Sequence, residues 1–175
     1  LDDERAGRAG TAVAGIVDLI QTRGVVDGHL TKWLGSDATD GSLSALVAPL
    51  GLVPATSDLG RATIAAVEAD LLADGGVYRF RADTYFGGGR WPLLSCFLGL
   101  AKAAGGDPAG ARALLDWAAS TATDEGYLPE QVDGHLLDPS FRQEWLDRWG
   151  PVATPLLWSH AMLLRLAADL KGADS

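Results

Sequence analysis

Cysteine is almost absent from this sequence. The 175 residues hold one, Cys96, so no internal disulfide can form. That fits a reducing compartment and sets a cytoplasmic location as the expectation. Cys96 lies in the apolar run "WPLLSCFLGL", where a small buried hydrophobe is a better reading than a nucleophile. Histidine is scarce too. His29, His135 and His160 show no close ligand spacing, and no His-Glu-x-x-His occurs, so no metal or other cofactor is expected. No oxygen-ligand loop of the EF-hand kind is present. Basic residues are few: 14 Lys and Arg stand against 23 Asp and Glu, a formal net charge of -9. A field of that sign repels phosphate backbones, which argues against a nucleic-acid partner. No apolar run approaches the ~20 residues of a membrane span, so no membrane partner is expected. The start, "LDDERAGRAG", is charged and lacks a signal-like apolar core.

What is there is helical. Hydrophobic residues make up 47%, enough for a normal core in one domain spanning residues 1–175. Val13, Ile16, Val17 and Ile20 recur at helical spacing within 4–22, and Gly24 is a stop signal. "SLSALVAPL" follows Asp40-Gly41 and ends at Pro49. A third helix is expected from Asp58 to Ala73, closed by Asp74-Gly75-Gly76. A fourth starts at Trp91-Pro92, and a fifth at Asp107-Pro108, an N-cap followed by proline. A last one covers about 154–170. No segment alternates convincingly, though "GVYRFRAD" could supply a short hairpin arm. The expectation is an all-α chain of about six main helices. Two long loops, 75–90 and 124–153, interrupt it. They carry Tyr78, Tyr85, Phe86, Tyr127, Trp145 and Trp149, and aromatic-rich loops between helices fit a lined pocket.

Three stretches hold chemistry. "YRFRADTYFGGGRW" (78–91) has three successive glycines, fit either for a loop bent around a ligand or for a turn before a helix. It lacks the Gly-Lys-Ser/Thr of a phosphate loop. In "GYLPEQV" (126–132), Pro129 restrains the approach to Glu130. Alone, Glu130 reads equally as a solvated loop charge. "PLLWSHAM" (155–162) places Trp158, Ser159 and His160 at the start of an apolar helix. Neighbouring helical residues point in different directions, so a Ser/His catalytic pair is a weak reading and a satisfied histidine a better one.

Read in order, these motifs resemble the C-terminal half of the glucoamylase-type glycoside hydrolases, family 15, which includes glucodextranases and some trehalases. The resemblance covers residues 39–170, through "TDGSLSALVAPLGLVPA", "RATIAAVEADL", "YRFRADTYFGGGRWPLL", "GYLPEQVD" and "WGPVATPLLWSHAMLL". It implies half of an (α/α)6 toroid and inverting hydrolysis of an α-glucosidic bond. Inverting carboxyl pairs stand ~6.5–9.5 Å apart. By the resemblance Glu130 is the base. Tyr85, Trp91 and Trp158 would line a sugar subsite. Arg79, Asp83 and Gln131 would bind or orient the substrate, an α-glucoside or oligosaccharide. The family's acid lies in an upstream motif that this chain lacks, and Glu125 is too near Glu130 in sequence to replace it. The "DGSLS" run also departs from the family at Gly41 and Ser44. A missing N-terminal half, or a second copy of the chain, is therefore expected to cover exposed apolar helix faces. Two other readings stay open: a non-catalytic carbohydrate-binding module and a helical interaction domain.

Overall fold

The structure, a computed structural model, describes residues 2–173. It is all-α, as the spacing predicts. The helices are α1 (Asp3–Arg23), α2 (Leu43–Val47), α3 (Asp58–Leu71), α4 (Pro92–Ala104), α5 (Pro108–Ser120), α6 (Arg142–Trp149) and α7 (Leu157–Ala173). Their starts follow local chemistry. Asp2, Ser57 and Asp107 each accept a hydrogen bond from a backbone N–H three residues on, at 2.8, 3.1 and 2.8 Å, which satisfies donors the first turn leaves open. Pro92 and Pro108 occupy first-turn positions where no N–H is needed.

Helix α4 is the axis of the fold. Every residue from Pro92 to Lys102 is buried, with α5, α7, α2 and α3 packed around it. A helix apolar on all sides belongs inside. Each fully buried leucine, such as Leu98 or Leu100, contributes on the order of 2 kcal/mol. Cys96 lies in this helix, fully buried, and burial pushes its thiol up to about 12. It is the inert small hydrophobe the sequence predicts.

Among the described residues, five short strands decorate the helices. β1 (Val25–Val26) pairs with β2 (His29–Leu30). β3 (Leu72–Ala73), β4 (Gly76–Tyr78) and β5 (Arg90–Trp91) form an antiparallel sheet in that order. The hairpin arm expected over "GVYRFRAD" is real only as far as Tyr78. Beyond it the Asp83 N–H donates to the Phe80 carbonyl at 3.1 Å, and the chain turns.

Two expectations need revision: α3 ends at Leu71, because Leu72 and Ala73 leave it to pair with β4, and the 124–153 segment is not free of helix. The 124–153 loop contains α6, which short length and polarity hide. Its sequence "RQEWLDRW" is held by i,i+4 pairs, Gln143–Asp147 at 2.7 Å and Arg148–Glu144 at 3.0 Å. The apolar stripe of α1 does form on a helix, but no residue of that helix is buried. Val13 and Ile16 are 53% and 56% exposed, and among the described residues only the end near Val17 and Ile20 meets the body of the fold.

Candidate active site

The "GYLPEQV" segment is not a free loop. Strand β5 holds one side of it, where the Val132 N–H donates to the Arg90 carbonyl at 3.0 Å. The α7 region holds the other. The Leu128 N–H donates to His160 Nε2 at 3.0 Å, the Ser159 hydroxyl donates to the Pro129 carbonyl at 3.1 Å, and the Glu130 N–H donates to the Ala153 carbonyl at 2.9 Å. Leu128 is buried beneath it. Ser159 and His160 therefore act as pins for the segment that carries Glu130.

The glycine-rich segment meets Glu130 through Tyr85, whose hydroxyl donates to Glu130 Oε2 at 3.1 Å. Tyr85 is packed edge-on by Phe86 and Trp145, each 4.8 Å between centroids, and lies 6.1 Å from Trp91. Its backbone N–H donates to Asp83 Oδ1 at 3.0 Å. Asp83, 2% exposed, also receives a bidentate pair from Arg79, with Nε at 2.9 Å. Arg79 in turn faces the rings of Phe80, Tyr85 and Trp91 at 5.0, 5.3 and 5.4 Å.

Gln131, buried, uses its carbonyl oxygen to accept from the Gly89 N–H at 2.6 Å and its amide to donate to the Tyr85 carbonyl at 3.1 Å. It straps the two segments together. A Cβ on Gly89 would stand 2.5 Å from Gln131 Oε1 and 2.4 Å from the Val132 carbonyl oxygen. Close backbone approach, not flexibility, is what this glycine provides.

Glu130 is half-buried, and burial pushes its carboxyl above the ordinary range. The Tyr85 hydrogen bond and the Arg79 charge pull the other way. Tyr85 is raised as well, by burial and then by the Glu130 charge. Glu125 is elsewhere, exposed on the 123–127 turn, and the Thr123 hydroxyl helps hold it below the usual range.

Beside Arg79 and Trp91 opens a cleft of about 390 Å³, walled by Phe80, Phe97 and Trp158. Trp158 is 57% exposed and stands edge-on to Phe97 at 5.9 Å. The structure thus brings Arg79, Asp83, Tyr85, Gln131 and Glu130 into one hydrogen-bonded cluster. Trp91 adjoins it, and Trp158 lies across the cleft. Sequence reasoning missed Lys32, Asp40 and Ser42, which also line the cleft, and the role of Trp145. A short side-chain turn at Asp40-Gly41-Ser42 was the available signal for the former. The Asp138-Pro139 cap ahead of "RQEWLDRW" was the signal for the latter. No group of His, Cys, Asp and Glu fit to hold a metal occurs among the described residues. No helix among them is long and apolar enough to cross a membrane.

Comparison with known proteins bears on the chain as a whole. No protein-family profile matches the chain. An isomaltose glucohydrolase from Kribbella flavida is 59% identical over 157 residues, covering 90% of this chain and 41% of that protein. A solved wild-type glycosidase superimposes with a TM-score of 0.93 at 54% identity, covering 97% of this chain and 46% of that one. A variant of a glycosidase in complex with glucose matches equally well, with a TM-score of 0.93. The chain spans less than half the length of these relatives.

Proposed function

We propose that this chain is the base-bearing part of an inverting α-glucoside hydrolase of the glucoamylase type, with isomaltose as its first substrate to test. The observation that carries the reading is Glu130, half-buried and pinned on both sides, hydrogen-bonded to Tyr85 beside an aromatic cleft. The match to an isomaltose glucohydrolase and to a glycosidase variant in complex with glucose supports it.

In this reading a water rests against Glu130. The ionised carboxylate takes its proton as the oxygen attacks the anomeric carbon. Tyr85 holds one carboxylate oxygen and so directs the other. Arg79 supplies positive charge beside the base and lines the sugar's approach. Asp83 and Gln131 act behind them, Asp83 by fixing Arg79 and Gln131 by fixing the loop. Trp91 and Trp158 offer apolar faces to sugar C–H groups. The proton for the leaving oxygen comes from an acid outside this chain, on the half of a toroid that the relatives' extra length would supply.

The stereochemistry of the first turnover tests the mechanism. Proton NMR of the complete protein acting on isomaltose should show β-glucose from the cleaved unit before mutarotation. Initial α-glucose there would exclude inversion. The second reading, a carbohydrate-binding module, is favoured by the state of the cluster's two carboxylates: Asp83 is tied up by Arg79, which leaves Glu130 alone to work on a substrate. It predicts sugar binding with no turnover even with the other half supplied.

A further inference from the structure

The cleft has a polar wall that the Glu130 cluster does not account for. Lys32 follows β2, and its Nζ pairs with Asp40. The ammonium lies 3.2 Å from the centroid of the Phe80 ring, a cation–π contact. Asp40 Oδ1 accepts from the Ser42 N–H at 2.9 Å and from its hydroxyl at 2.7 Å. The Lys32 and Asp40 side chains are only 18% and 12% exposed, yet both line the cleft. Removing an ion pair from water costs stability that well-packed apolar side chains would not lose. An ion pair retained beside aromatic and leucine side chains, with Ser42 and Arg79 also in the lining, fits a ligand rich in hydroxyls. Lys32 has three N–H donors and one hydrogen-bonded acceptor among the described residues. Asp40 Oδ2 has lone pairs beyond the one that Lys32 uses.

We propose that Lys32 and Asp40 form a hydroxyl clamp for the sugar unit that leaves, and so set preference for a disaccharide over other glucosides. This rests on the hydrolase reading above. Tyr85 and Arg79 mark the unit under attack, because they adjoin the base. Lys32 meets Phe80, which in turn meets Arg79, so Lys32 joins the cluster one ring removed from the residues that adjoin the base. Phe80 fixes the ammonium, and Ser42 fixes the carboxylate.

The test compares isomaltose with p-nitrophenyl α-glucoside, whose leaving group has no sugar hydroxyls. Wild type, Lys32→Met, Asp40→Asn and the milder Ser42→Ala are assayed in the complete protein, with thermal melts as folding controls. The clamp predicts that KM for isomaltose rises about tenfold in Lys32→Met and Asp40→Asn, with kcat nearly kept. It rises less in Ser42→Ala, and constants for the aryl glucoside stay within about twofold of wild type. Equal losses on both substrates, or a lower melting temperature with unchanged KM, would overturn the clamp while leaving the hydrolase reading intact. Should Lys32→Met not fold, an unchanged isomaltose KM in Ser42→Ala would overturn it instead. A wild type that cleaves neither substrate would overturn both.

Discussion

Glu130 is held in tension between two influences. Burial disfavours its charge, while the Tyr85 hydroxyl and Arg79 favour it. Removing the hydroxyl with Tyr85→Phe takes away a hydrogen bond that stabilises the ionised form more than the neutral one, so the carboxyl should rise further. A base works when ionised. The acidic limb of kcat/KM should therefore move to higher pH in Tyr85→Phe, as a pH–rate profile would show. A limb that stays put would mean that Tyr85 does not act on the base. Stability carries the opposite sign. A carboxyl raised on folding contributes stability below its unfolded pKa, and that contribution is lost as pH rises through the folded value. At neutral pH the ionised Glu130 thus weighs against the fold. Glu130→Gln keeps an acceptor for Tyr85 and carries no charge. Its melting temperature should exceed wild type at pH 7, with the gain shrinking as pH falls below the Glu130 pKa.

At the scale of elements, long-range straps hold the site together. Gln131 ties the 126–132 segment to the glycine loop across 42 residues, and Ser159 ties it to α7 across 30. Gln131→Ala should leave the Gly89 N–H buried without its partner. A loss of about 1–3 kcal/mol in denaturant unfolding is expected, with kcat falling as the loop loosens. A separate strap joins the helices. Lys102 on α4 reaches Glu68 on α3 at 2.7 Å and the Asp107 cap of α5 at 2.9 Å. Burial acts to lower its pKa, but these two carboxylates outweigh that and raise it. Lys102→Met is expected to cost about 1–3 kcal/mol by the same measurement. A cost near zero would mean that the half-exposed carboxylates are held mostly by water.

The elements also show what a sequence can and cannot display. Caps and stops are local, so Asp107-Pro108 and Gly24 mark their helix ends correctly. The helix α6 escaped because eight residues with few buried contacts leave little periodicity to read. "GYLPEQV" and "PLLWSHAM" each stand out as strings, yet nothing in either shows that Ser159 and His160 serve the segment of Glu130. Gly41 reads as a weak helix start. In the fold, a Cβ there would stand 2.9 Å from the Tyr78 carbonyl oxygen and 3.0 Å from Leu94, so close packing selects it. The Asp40-Gly41-Ser42 turn marks Asp40 in the sequence, but its pairing with Lys32, eight residues away, has no signature until the cleft exists.

The whole molecule is open on one count. Val13 and Ile16 on α1 are exposed, and a groove of about 440 Å³ lined by Ala45, Leu46, Pro49, Leu50, Phe97 and Met162 lies between α2, α4 and α7. Surfaces of this kind associate. Residues 1–175 made alone should self-associate at tens of micromolar in sedimentation velocity, on the scale of weak apolar contacts, and Ile16→Glu should reduce it. A monodisperse monomer would mean that these faces are tolerated in water. The proposed role of Glu130 as base is tested first by the turnover of isomaltose by the complete protein with and without Glu130→Gln. In the variant kcat should be lower by about 10²–10⁴-fold with KM little changed and the fold intact. A variant that turns over isomaltose at the wild-type rate would contradict it.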